Sequence, residues 1–170
     1  MSIQEKRLLS VLAGIDFEPG TIESLVANAD EMRPILLRIA NGKESKADRY
    51  MRKNAIGLLG HVADVGCVKV LADLLGHDRV EYRANAIRSL GRIDDPKAAK
   101  ALQAHLTKTD LPLSEGKVTV LCLEKFGPRA ATTAIKTFRD RFEREKKTSP
   151  GLKRDLKTFD EVTKTIETRT

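Results

Sequence analysis

The chain has 170 residues, 41% of them hydrophobic, which is enough for one ordinary domain with a buried core and too apolar for general disorder. Aromatic residues make up only 4% and Trp is absent, so the core must be built from Leu, Ile, Val and Ala, which suits helices packed closely on helices. The formal charge of +7 directs attention to an acidic or phosphate-bearing partner, although 24 acidic residues interrupt the basic ones, and no apolar run approaches the ~18 residues of a membrane-spanning helix.

Residues 3–13 read as a first helix, and Phe17-Glu18-Pro19-Gly20 as a turn. The opening Met1-Ser2-Ile3-Gln4-Glu5-Lys6-Arg7 lacks the apolar stretch of a secretory signal, so a cytoplasmic protein is expected. A degenerate helical hairpin spans 20–42, with Met32 to Ile39 in its second helix, and Gly42-Lys43-Glu44-Ser45-Lys46 follows as a polar connector.

The strongest signal is internal repetition. Arg52-Lys53-Asn54-Ala55-Ile56-Gly57-Leu58-Leu59-Gly60-His61-Val62 recurs 31 residues later as Arg83-Ala84-Asn85-Ala86-Ile87-Arg88-Ser89-Leu90-Gly91-Arg92-Ile93. The register continues through Asp64 and Asp95, Leu71 and Leu102, and Leu75 and Leu106. The two copies occupy 49–78 and 80–108, and each reads as two helices. In the second copy, Val80, Ala84, Ile87, Leu90 and Ile93 follow a three-to-four spacing. Asp94-Asp95-Pro96 then breaks that helix and starts another running to about Thr107, with Ala98, Ala99, Ala101, Leu102 and Leu106 inward.

A looser copy spans 117–145, offset by 36, with Leu123, Phe126, Gly127, Phe138 and Phe142 in equivalent places and the extra residues in the loop around Thr109 to Leu113. Within it, Arg139 to Lys147 mixes charge signs at helical spacing, as a solvated helix does. Ser149-Pro150 opens a last helix over 150–168, read as a cap with Leu152, Leu156, Phe159, Val162 and Ile166 on one face. One hairpin cannot cover its own apolar faces, so the copies must stack into one all-α repeat domain over 1–170.

The pattern Val80, Arg83, Ala86, Leu90, Gly91, Ile93, Asp95, Pro96, Leu102 resembles a HEAT-like repeat of the phycobilisome-lyase subtype. The resemblance covers about 49–108, more weakly 117–145, and Asp64-Val65 departs from the usual Asp-Pro. It implies a right-handed α-solenoid of HEAT-like hairpins with terminal cap helices, the second helix of each pair lining the concave face. It also implies protein binding as the commonest role, with bilin lyases, iron hydroxylases and base-excision enzymes among the relatives.

Each enzymatic branch meets an obstacle in the residues present. Iron binding of that kind needs paired His-Glu motifs, yet His61, His77 and His105 are followed by Val62, Asp78 and Leu106, and they read as surface or partly buried side chains. Holding an extruded base calls for aromatic stacking, and Tyr50 and Tyr82 are the only tyrosines, with Tyr82 aligned to Met51 on a first helix. Nothing marks a chromophore site. Cys67 and Cys122 share no CxxC-like spacing and read as small buried hydrophobes. No phosphate loop or nucleophile elbow is found. No catalytic residue, metal or cofactor is expected.

Lys69, Lys100 and Lys136 fall at equivalent positions of three successive second helices, flanked by Lys97, Gln103 and Arg139. On a concave face they would form a basic row, fit for an acidic segment of a partner protein or for the phosphates of a nucleic acid. The same pattern also describes an ordinary solvated face. A second pair, Arg52 and Arg83, reads as structural. It is expected to act with Asp64 and Asp95 in capping helices and tying repeats, with Asn54 and Asn85 bonding between repeats.

Overall fold

The computed structural model describes residues 3–14, 20–62, 64–108 and 110–127, together with 132, 135, 136, 138–140, 143, 144 and 164. The described residues hold helices and no strand, as an all-α solenoid sequence requires. In chain order the helices are α1 (Ile3–Ala13), α2 (Thr21–Ala27), α3 (Ala29–Ala40), α4 (Arg49–Val62), α5 (Val65–Leu74), α6 (Val80–Leu90), α7 (Pro96–Leu106) and α8 (Leu113–Leu123). The 3₁₀ turn Glu124–Phe126 follows, ended by Gly127 at φ 83°. Contacts group the chain into two compact units, Met1–Ile93 and Asp94–Thr170.

The first unit is built around α4, which packs against α1, α2, α3 and α6. Its sequence explains that place. Met51, Asn54, Ala55, Ile56, Leu58, Leu59, Gly60 and Val62 are all buried, a band too wide for a helix covered on one side. Gly60 allows the closest approach: a Cβ there would lie 2.6 Å from the Ser89 Cα on α6. Ser89 uses that proximity to donate its hydroxyl to the Ile56 carbonyl at 2.7 Å. Repeat-equivalent residues share one fate. Ala55 and Ala86, Ile56 and Ile87, and Leu59 and Leu90 are all fully buried.

The predicted inward stripe of α6 shifts. Val80 is 56% exposed, while Tyr82, Ala86, Ile87, Ser89 and Leu90 form the covered face. Val80 is the first residue of α6. At the start of the unit, Asn28 separates α2 from α3, donating its side-chain amide to the Ser24 carbonyl at 2.8 Å. Pro34 lies inside α3, where it lacks the N–H of an ordinary helical residue. Arg38 bridges Glu5 of α1 and Glu44 of the connector, which ties the first helix down.

In the second unit α7 and α8 pack together. Ala98, Leu102, Leu106, Val120, Leu123, Ile135 and Phe138 are buried. Phe138 presses its ring onto α8 at Gly116, where an added Cβ would fall 1.8 Å from the ring. The helix α8 starts at Leu113 behind Pro112, so the loop after α7 is shorter than the 117 boundary implies. The cap helix assigned to 150–168 lies outside the described residues, apart from Lys164, which is helical. Phe142 also lies outside them.

Candidate functional site

The basic residues singled out by the sequence all lie at helical positions. Lys69 is on α5 in the first unit, its side chain 86% exposed and 3.4 Å from the Asp73 carboxylate one turn on. In the second unit Lys97 and Lys100 are exposed on α7, and Gln103 beside them is half-buried. Their helix buries Ala98, Ala99, Leu102, His105 and Leu106 on the opposite side, so this face is polar by construction. Lys136 is exposed, and Arg139 is half-buried. The Lys69–Asp73 pair is of the solvated kind, worth about 0–1 kcal/mol, and does not lock the ammonium in place.

Asp64 and Asp95 sit one repeat apart and do the same work. Asp64 accepts the Gly66 N–H at 2.8 Å and Asp95 accepts the Lys97 N–H at 2.7 Å, capping α5 and α7. Pro96 occupies the first turn of α7, where its missing N–H costs nothing.

The expected pairing of these aspartates with the repeated arginines is corrected for Arg52. Its Nε donates to the Ala40 carbonyl at 2.9 Å, at the C-terminal end of α3. Arg83, one repeat on, donates to the carbonyls of His77 and Asp78 at 2.8 and 2.9 Å, just past α5. Arg52 closes the end of α3, where carbonyls lack intrahelical donors and the helix dipole favours a cation, whereas Arg83 pins the loop between α5 and α6. Asp64 instead meets Arg33, 3.3 Å away, and the same arginine bonds the Val62 carbonyl. A guanidinium reaches across roughly two turns of helix, so sequence register alone does not name its acceptor.

Asn85 bonds the preceding repeat, as expected, whereas Asn54 reaches the end of α1. Asn54 donates to the carbonyls of Leu12 and Gly14 at 2.9 and 3.1 Å, and Asn85 donates to the Lys53 carbonyl at 3.3 Å.

One pair was missed by the sequence reading. His105 is buried, not superficial, and its Nε2 lies 3.6 Å from the Oε2 of buried Glu115 on α8. Two ionisable side chains thus face each other in the α7–α8 seam. Glu115 lies between the loop around 109–113 and the looser repeat read from 117, where no apolar pattern signalled burial. The other histidine of note is His61, half-buried on α4. Burial, and then the nearby Arg92 charge, hold its imidazole below the ordinary range. Burial also pushes the Cys67 thiol up, which makes it a poor nucleophile.

A cleft of about 640 Å³ opens between α1, α2 and α3, lined by Arg7, Ser10, Thr21, Ser24, Asn28 and apolar neighbours. Arg7 is its one ionisable lining side chain among the described residues, so it brings together no acid–base pair. Among the described residues no group of three or more His, Cys, Asp or Glu could hold a metal ion, and no helix is long and apolar enough to cross a membrane.

No curated protein matches the chain. Residues 34–114 match the family model of HEAT repeats, a stretch running from inside α3 to the start of α8. The hairpins, their aspartate caps and this match together support a HEAT-like repeat protein.

Proposed function

We propose that the chain is a non-enzymatic scaffold that binds an acidic segment of a partner protein on the basic faces of its second helices. HEAT repeats commonly serve as protein-interaction scaffolds, and the proposal gives that role a ligand chemistry. The observation that carries it is the polar face of α7: Lys97 and Lys100, one turn apart, stand exposed opposite the buried face. Lys69 and Lys136 hold the equivalent places on their own helices, with Gln103 and Arg139 as flanking contacts. The net charge of +7 favours such a partner on approach as well. We read the repeat subtype as phycobilisome-lyase-type on the Val80 to Leu102 pattern, and the protein as cytoplasmic, where a Cys67 outside any disulfide is stable.

The test is the triple variant K69E/K100E/K136E, titrated by fluorescence anisotropy against a labelled Asp/Glu-rich peptide. Binding should weaken at least about tenfold, as expected for loss and reversal of interfacial charge, with far-UV circular dichroism and Tm unchanged. Wild-type affinity in the variant removes the row from the reading. A nucleic acid ligand betrays itself by salt: affinity for a duplex falls with a slope of about −0.9 per phosphate contact.

A further inference from the structure

Both tyrosines of the chain, Tyr50 and Tyr82, lie at the N-terminal ends of α4 and α6, and both are ringed by cations. The Arg49 guanidinium lies 4.6 Å from the centre of the Tyr50 ring and also donates to the Tyr50 hydroxyl at 2.7 Å. Lys53 approaches the same ring to 5.9 Å. Arg52 and Arg79 stand 5.1 and 5.9 Å from the centre of the Tyr82 ring. The two clusters are joined, because the Tyr82 hydroxyl donates to the Arg49 carbonyl at 3.2 Å.

Tyr82 is buried and serves as the floor of this patch, whereas Tyr50 is 52% exposed. Two acids stand among the four cations. Asp48 directs its carboxylate to the N–H groups of Tyr50 and Met51, both at 2.8 Å, so it caps α4. Glu81 meets Arg79 at 3.4 Å, an exposed pair of small worth. Its carboxyl is held below the usual range by a hydrogen bond from its own backbone N–H, then by Arg79, with Arg49 contributing.

We infer that this patch is a docking surface for an acidic segment of a partner protein, with Arg49 and Arg79 receiving carboxylates and Tyr50 receiving an apolar side chain. The surface uses none of the residues of the lysine row, and it stands or falls independently of that row. Its composition is the argument. Exposed Tyr and Arg are the residues that dominate binding energy at protein interfaces, while isolated lysines are depleted there. A guanidinium already laid on an aromatic ring loses little freedom when its fork meets a carboxylate. A nucleic acid fits less well. Arg49 occupies a face of the Tyr50 ring on which a base would stack, and Asp48 and Glu81 interrupt any track of phosphates.

The experiment titrates the full chain with a labelled twelve-residue Asp/Glu-rich peptide containing a central Leu, and separately with a labelled single-stranded dT oligonucleotide of the same length. The K69E/K100E/K136E variant should retain a weaker residual binding of the peptide at this patch, and R49E/R79E introduced in that background should weaken the residual binding by a further factor of about ten or more. Y50A should also weaken it, with the salt dependence unchanged, because it removes apolar contact and not charge. R49Q/R79Q serves in place of the glutamate variant should that one unfold. Unchanged peptide binding by the arginine variant in the lysine-variant background overturns the inference and leaves the lysine row to its own test. Absence of any peptide binding by the wild-type chain overturns both. Binding of the oligonucleotide in preference to the peptide, lost on R49E/R79E, overturns the assignment of a protein ligand to this patch.

Discussion

Gly60 and Ser89 show how little space separates adjacent repeats. The first gives up its side chain so that α6 can lie against α4, and the second spends its hydroxyl on the Ile56 carbonyl, so no polar group is stranded in the seam. A methyl group at position 60 has nowhere to go, since the nearest atom is backbone. G60A should therefore destabilise the first unit by about 1–3 kcal/mol, the usual cost of overpacking, seen as a lowered Tm and urea midpoint. A Tm equal to wild type would mean that the two helices part without cost. The repeat register pairs Gly60 with Gly91, so the need for a small residue was legible. That its neighbour would be the Ser89 backbone was not, because register names equivalents and not contacts.

The helices owe their limits to local chemistry that recurs at the repeat period. Asp64 and Asp95 each start a second helix with one side-chain bond to the backbone two residues on. Arg52 finishes the preceding helix from the following one, and Arg83 holds the loop after its preceding helix. D95A should cost about 0.5–2 kcal/mol, the range for losing an N-cap, and should be partly rescued by D95S or D95N, which restore an acceptor. Equal losses from all three substitutions would show that something other than capping holds the position. The starts of α5 and α7 were readable from Asp64 and Asp95 because a cap acts within three residues of itself. The targets of Arg52 and Arg83 were not, because their long side chains choose among acceptors that only packing brings near.

For the molecule as a whole, the half-buried His61 contributes a pH dependence to stability. Its folded-state pKa lies below the ordinary 6.5, so below that value the unfolded chain takes up a proton that the folded chain resists. Stability is thus full above about pH 6.5 and declines as pH falls toward the folded pKa. Thermal melts from pH 8 to about pH 5 should show the wild-type Tm falling more steeply than that of H61N, which removes the titrating group. Parallel curves would assign the decline to other groups.

Composition and the 31-residue period sufficed for the helical class, the hairpin unit and the capping aspartates, which rest on local periodicity and bonds within a few residues, and for Asn85, which bonds the previous copy. Tertiary structure alone decided three things: the burial of His105 against Glu115, the acceptors of Arg52 and Arg83, and the gathering of Arg49, Tyr50, Arg79 and Tyr82 on one surface. The physical reason is one of range. Apolar periodicity and caps act over a few residues, whereas a long charged or aromatic side chain finds its partner in three dimensions, among neighbours that exist only once the helices have packed.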